Sequence, residues 1–143
     1  MIKIEHSVVI NRPIEEIFAF MDNPKNDPKW QSGVLESEQT SEGPAGVGAT
    51  FREVRKFMGR RFESTLELTK HEPNKNIAWK TTSGPIPFEL TATFESVEGG
   101  TKIAIVGEVE PGGFFKLAES VVERMLTRQV EADFGNLKDL LES

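Results

Sequence analysis

The sequence predicts an α+β fold: a seven-stranded antiparallel sheet wrapped around one long C-terminal helix, with two short helices between strands one and two. Three observations carry this. Residues 114–142 hold no proline and a single glycine, Gly135, and are rich in strong helix formers, so they predict one helix about 43 Å long. Upstream, seven short segments alternate with the period of a strand and are separated by turn residues. Most are apolar on one side only, so the sheet has one wet face and one face that needs cover. The long helix is the element able to supply it.

Taken in order, Ile2, Ile4, His6, Val8 and Ile10 share one face of the first strand, with Lys3, Glu5, Ser7 and Val9 on the other. Asn11-Arg12-Pro13 opens a helix whose buried stripe is Ile14, Ile17, Phe18 and Met21. Asn23-Pro24 stops it, and Asn26-Asp27-Pro28 starts a shorter turn ending near Trp30 and Gly33. A modest second strand over 34–40 precedes a glycine-rich bend (Gly43, Pro44, Gly46, Gly48). The third strand runs from Thr50 to Phe57, with Gly59-Arg60 expected as its turn, and the fourth covers 61–71. Pro73-Asn74-Lys75-Asn76 turns into a fifth strand, Ile77 to Thr82. After the stiff loop Ser83-Gly84-Pro85-Ile86-Pro87, the sixth strand sets Phe88, Leu90, Ala92 and Phe94 against Glu89, Thr91, Thr93 and Glu95. Gly99-Gly100 is the expected hairpin turn into the seventh, which carries Ile103, Ile105, Gly107 and Val109 on one face. Pro111-Gly112-Gly113 punctuates the entry to the long helix. Its apolar face reads as Phe114, Ala118, Val121, Val122 and Met125, then moves round to Leu126, Val130, Phe134, Leu137 and Leu141.

Length and composition set the limits. The 143 residues fit a single domain spanning 1–143, large enough to bury a core without staples. Cysteine is absent, which excludes disulfides and thiolate chemistry. A formal charge of −6 argues against general nucleic-acid binding. The first twenty residues alternate and carry charge, unlike a signal peptide, and no apolar run is long enough for a transmembrane segment. A cytoplasmic protein is the expectation; its oligomeric state is left open.

The element order and several stretches resemble a known family. These are residues 10–20 (Ile10-Asn11-Arg12-Pro13 through Phe20), Asn26-Asp27-Pro28-Lys29-Trp30, Gly43-Pro44-Ala45-Gly46-Val47-Gly48, and Arg128 through Phe134. Together they resemble the polyketide cyclase/dehydrase-like branch of the SRPBCC (START-like) superfamily, over essentially the whole chain. The resemblance implies the helix-grip fold and a cavity between sheet and long helix that holds an apolar small molecule. It supplies no universal catalytic motif to carry over, and no cofactor is expected.

With the apolar faces turned inward, a turn at Gly59-Arg60 would pair Phe57 with Phe62, Arg55 with Ser64, Glu53 with Leu66 and Phe51 with Leu68. Glu53 and Arg55 then point inward among phenylalanines, and a slip by an odd number would turn them out. His6 lies on an apolar strand face and Gln129 falls among Val122, Met125 and Leu126. The candidate ligand-binding polar groups are therefore His6, Glu53, Arg55, Ser64 and Gln129. The candidate walls are Phe51, Phe57, Phe62, Leu66, Trp79, Phe88, Leu90, Ile105, Phe114, Val121, Val122 and Met125. Buried charges need partners, and a Glu53–Arg55 arrangement could orient a ligand carbonyl or carboxylate. Each polar residue also has a structural alternative: His6 as a satisfied core histidine, Gln129 bonded to sheet backbone, Glu53 and Arg55 as a solvated pair.

Three functions remain open from sequence. The first is binding of a small hydrophobic molecule, one with a carbonyl or carboxylate among the options. The second is a cyclase/dehydratase-type enzyme using His6 or Glu53 as acid and base. The third is an interaction module with a filled core, acting through the basic hairpin of Arg52, Arg55, Lys56, Arg60 and Arg61 or through the outer sheet face. No metal is expected, because His6 and His71 are far apart and zinc needs three or four convergent ligands.

Overall fold

Alternation becomes strand throughout the computed structural model, which describes residues 1–110 and 119–143. The strands are β1 (Ile2–Ile10), β2 (Val34–Gln39), β3 (Thr50–Phe57), β4 (Arg60–Glu72), β5 (Asn76–Ser83), β6 (Phe88–Val97) and β7 (Gly100–Val109). They form one antiparallel sheet in the order β1-β7-β6-β5-β4-β3-β2. Between β1 and β2 lie α1 (Ile14–Asp22), a 3-10 turn (Pro24–Asn26) and α2 (Asp27–Trp30). The last element is α3 (Glu119–Glu142). This is the helix-grip arrangement that the sequence implied. The expected helix start at Phe114, and the Pro111-Gly112-Gly113 entry, lie outside the described residues.

Two turns differ from expectation. Met58 and Gly59, at φ 52° and 78°, make the β3–β4 turn, the positive-φ geometry that matches strand twist in a two-residue hairpin. The pairing is therefore displaced by two residues: Arg55 lies opposite Phe62, Glu53 opposite Ser64 and Phe51 opposite Leu66. An even displacement leaves every side chain on its face. The β6–β7 turn is Glu98-Gly99, because Gly100 already pairs with Val97. A third difference comes from a bulge. The β4–β5 pairing skips a residue between Leu68 and Lys70, which reverses the alternation beyond it. His71, expected on the face away from Leu68, turns toward α1 instead. There its Nε2 lies 2.9 Å from the Asp22 carboxylate and its ring meets Phe18.

The described part of α3 buries Val122, Phe134, Leu137 and Leu141, with Val130 packed beside them. At about 1.5–3 kcal/mol per buried side chain, these four contribute roughly 6–12 kcal/mol, an upper figure since unfolded chains already bury some surface. Val121 and Met125 are exposed. The seam thus runs 122-126-130-134-137-141 from the first described turn, and residues at 121 and 125 stand about 100° to one side of it. Polar straps fix the helix end: Lys138 Nζ donates to the Val9 carbonyl at 2.6 Å and the Asn11 N–H donates to Glu142 at 2.8 Å.

Among the described residues the interior divides into two apolar clusters. One joins α1, Trp30 and the distal half of α3 to Leu68, Ile77 and Ile103. The other joins Ile2, Ile4, Phe57, Val109 and Val122. Phe88 and Val130 pack against both.

Candidate functional site

Between the two clusters the sheet and α3 stand apart, leaving a cavity. Phe51, Phe57, Phe62, Leu66, Trp79, Phe88, Leu90, Ile105 and Val122 all line it. Its volume is about 190 Å³, room for on the order of a dozen heavy atoms at 10–15 Å³ for each water-sized group. Gly107 helps to hold it open. It lies between Ile4 and Leu90 in the sheet, and a Cβ there would run into the Leu90 side chain and lie 3.0 Å from the Glu89 carbonyl.

The polar groups gather where α2, β2, β3 and α3 meet. Strand period sends Glu53 and Arg55 to the same side of β3, and both line the cavity. Glu53 is buried, with a side chain 7% exposed, and accepts from Arg55 Nε at 3.0 Å. Arg55 Nη2 donates to Gln31 Oε1 at 3.1 Å. Burial alone would lower the guanidinium pKa; attraction to Glu53 and its hydrogen bond, then Asp133 and Asp27, outweigh this and hold it above the ordinary value. Asp27, the first residue of α2, accepts from Ser37 Oγ at 3.0 Å. Burial pushes its pKa from 3.8 to about 7; the Ser37 bond opposes this, the Glu53 charge adds to it and Arg55 opposes it. On α3, Asp133 Oδ1 accepts from the Ser32 N–H at 3.1 Å, Ser32 Oγ at 3.2 Å and Gln129 Nε2 at 3.0 Å. Burial raises the Asp133 pKa too, against those bonds and the Arg55 charge. Three carboxyls thus surround one guanidinium. They do not converge on a point: among the described residues no cluster of acids and histidines is arranged to hold a metal ion.

Of the other residues singled out from sequence, Ser64 and Gln129 line the cavity. Gln129 is committed to Ser32 Oγ, at 2.5 Å, and to Asp133. His6 is not among the lining residues: its ring sits 5.6 Å from that of Phe134, under the helix. Val121 and Met125 are corrections for the reason given above. Phe114 lies outside the described residues. Ser83-Gly84-Pro85 leads to Ile86, which joins the cavity wall, and Gly84 lies directly on Ser64. The basic hairpin is not a bare cationic patch. Arg52 pairs with Glu36, Glu38 and Glu63, and Arg61 approaches Glu36.

Sequence reasoning missed Asp27, Gln31 and Ser37, which line the cavity together with Trp30. Trp30 is 6% exposed, packs edge-on to Phe134 at 5.1 Å, and keeps an indole N–H without an acceptor among the described residues. The Asn26-Asp27-Pro28 turn was visible as a helix start, but its spacing said nothing about which way Asp27 faces.

Comparison with known proteins agrees with this architecture. The family model described as "Polyketide cyclase / dehydrase and lipid transport" matches residues 1–142. No curated protein matches in sequence. Among solved structures, TTHA0849 from Thermus thermophilus superposes with a TM-score of 0.83 at 17% identity, covering 96% of this chain and 94% of its own. The Zhui aromatase/cyclase from Streptomyces sp. R1128 gives 0.80 at 14% identity, covering 98% and 93%. Ara h 8.0201 gives 0.69 at 15% identity, covering 96% and 95%. At these identities the likeness is one of fold. No helix among the described residues is long and apolar enough to cross a membrane.

Proposed function

The chain belongs to the polyketide cyclase / dehydrase and lipid transport family, and on that premise we propose that it holds a small apolar molecule between the sheet and α3. The observation that carries the reading is the cavity itself: aromatic and aliphatic walls with a few polar groups confined to one end, the composition of a small-molecule site. The apolar part of the ligand lies against Phe51, Leu66, Trp79, Phe88 and Leu90. Its polar end faces Arg55, Glu53 and Asp27. The filled-core alternative is disfavoured, since a well-packed interior has few voids larger than a water.

Equilibrium dialysis against 2-phenylethanol tests this. One equivalent should bind, and Leu126→Trp, which fills the cavity from the half-buried face of α3, should abolish binding while the circular dichroism spectrum stays native. Equal uptake by both proteins would place the compound elsewhere and refute the reading.

A second reading, proton transfer on a bound carbonyl compound, is favoured by one observation. Asp27 titrates near neutrality beside a guanidinium, as a general acid or base requires. It moves the acid–base role from His6 to Asp27, with Glu53 held by Arg55. Deuterium exchange into bound 2-tetralone, catalysed by the protein and lost in Asp27→Asn, would support it; exchange no faster than in buffer would remove it.

A further inference from the structure

The charges at the polar end of the cavity do not balance, and the imbalance specifies the ligand. Asp27 from α2, Glu53 from β3 and Asp133 from α3 face the guanidinium of Arg55. The other lining acid, Asp22 on α1, is already paired with His71. Among the described residues, Lys56 is the other lining cation; it is exposed and alternates to the far side of β3 from Arg55. Arg55 commits two of its five N–H donors to protein acceptors, through Nε on Glu53 and Nη2 on Gln31. Among the described residues, Asp133, Glu53 and Asp27 each have one oxygen bonded within the protein and one without a protein hydrogen bond. A carboxylate guest would add negative charge to a partly desolvated wall that already holds an excess, at a cost that low dielectric enlarges. A cation would supply what the wall lacks.

We propose that the cavity selects an apolar amine, its ammonium group seated beside Asp27 and Glu53 at the α2–β3 end and its hydrocarbon body along the phenylalanine wall. The inference rests on the reading of the cavity as a ligand site and replaces the expected carboxylate with a positive group. Asp27 is the specificity-determining residue. Near pH 7 it is about half protonated, and a cation beside it favours the ionised form. Amine binding therefore expels a fraction of a proton, whereas a neutral guest of the same shape expels none.

The test uses three probes of one shape: 2-phenylethylamine, 2-phenylethanol and phenylacetate. Calorimetric titrations at about pH 7, in two buffers of different ionisation enthalpy, give affinity and proton release together. The amine should bind about tenfold tighter than the alcohol, which corresponds to 1.4 kcal/mol. Phenylacetate should bind weakest, and only the amine should release about half a proton. In Asp27→Asn the proton release should be lost and the ratio of amine to alcohol affinity should fall close to one. Phenylacetate binding as well as or better than the amine would overturn the proposal, as would an amine preference unchanged in Asp27→Asn. Alcohol binding with no gain for the amine would overturn it too, while leaving the cavity reading intact. Binding of none of the three would remove both.

Discussion

Replacing Asp27 by asparagine should stabilise the protein above about pH 4, by an amount that grows to about pH 7 and then levels off. The carboxyl titrates at 3.8 ordinarily and at about 7 in the fold, chiefly through burial. The folded state therefore binds more protons than the unfolded state between about pH 4 and pH 7. Over that window unfolding free energy falls as pH rises. Below about pH 4 both states are protonated and the penalty vanishes. Each pH unit is worth 1.36 kcal/mol, so the loss reaches about 4 kcal/mol at pH 8, with water penetration at this partly exposed site reducing it. Asparagine keeps an oxygen for Ser37 Oγ and stays neutral, so it avoids the loss. Urea titrations followed by tryptophan fluorescence from about pH 4.5 to 8.5 would measure the difference between the two proteins. Asp133, whose pKa is also raised, is present in both and largely cancels. The stabilisation by Asp27→Asn should grow with pH, approaching 2–4 kcal/mol near pH 8. A difference that is flat with pH, or a variant that is less stable at pH 8, would mean Asp27 is an ordinary solvated carboxylate.

The remaining predictions concern packing and the paired charges. Phe134→Ala removes the ring that meets both Trp30 and His6 and should cost about 3–5 kcal/mol in urea; a cost under about 1 kcal/mol would contradict a buried seam at that point of α3. Gly107→Val should drive Leu90 into the cavity, costing about 1–3 kcal/mol and lowering 2-phenylethanol affinity; an unaltered Tm would contradict the close approach. Arg55→Met leaves Glu53 buried without its partner and should cost about 3 kcal/mol at pH 8. Adding Glu53→Gln to it should recover part of that cost, and a double variant no more stable than Arg55→Met would point to lost packing alone.

The fold was legible because it rests on periodicity. Alternation in β1, β6 and β7 fixed which residues face α3, and the absence of breakers after Phe114 marked the helix that covers them. Register was less legible. Met58 adopts positive φ without being glycine, so the turn that sets β3 against β4 carried no glycine pair to announce it. The inward orientation of Glu53 and Arg55 survived because the displacement is even. A β-bulge after Leu68 has no composition signal, and it is what carries His71 to Asp22. The polar end of the cavity was legible only from β3. Asp27 and Gln31 reach it from the two ends of α2, a long-range placement that no local pattern encodes. Val121 and Met125 were read onto the first half of the stripe, whereas the described helix buries Val122 and leaves both exposed; the spacing of four from Val122 to Phe134 drifts away from them.

The central claim is a ligand-holding space between the sheet and α3, and the protein carries its own reporters. Its two tryptophans, Trp30 and Trp79, both line the cavity, so a nitrogen-labelled sample gives two indole N–H signals from the walls of that space. Titration with 2-phenylethanol should move both signals along saturable curves that share one dissociation constant. Two indole signals that stay in place at saturating alcohol, or that move with unrelated constants, would contradict it.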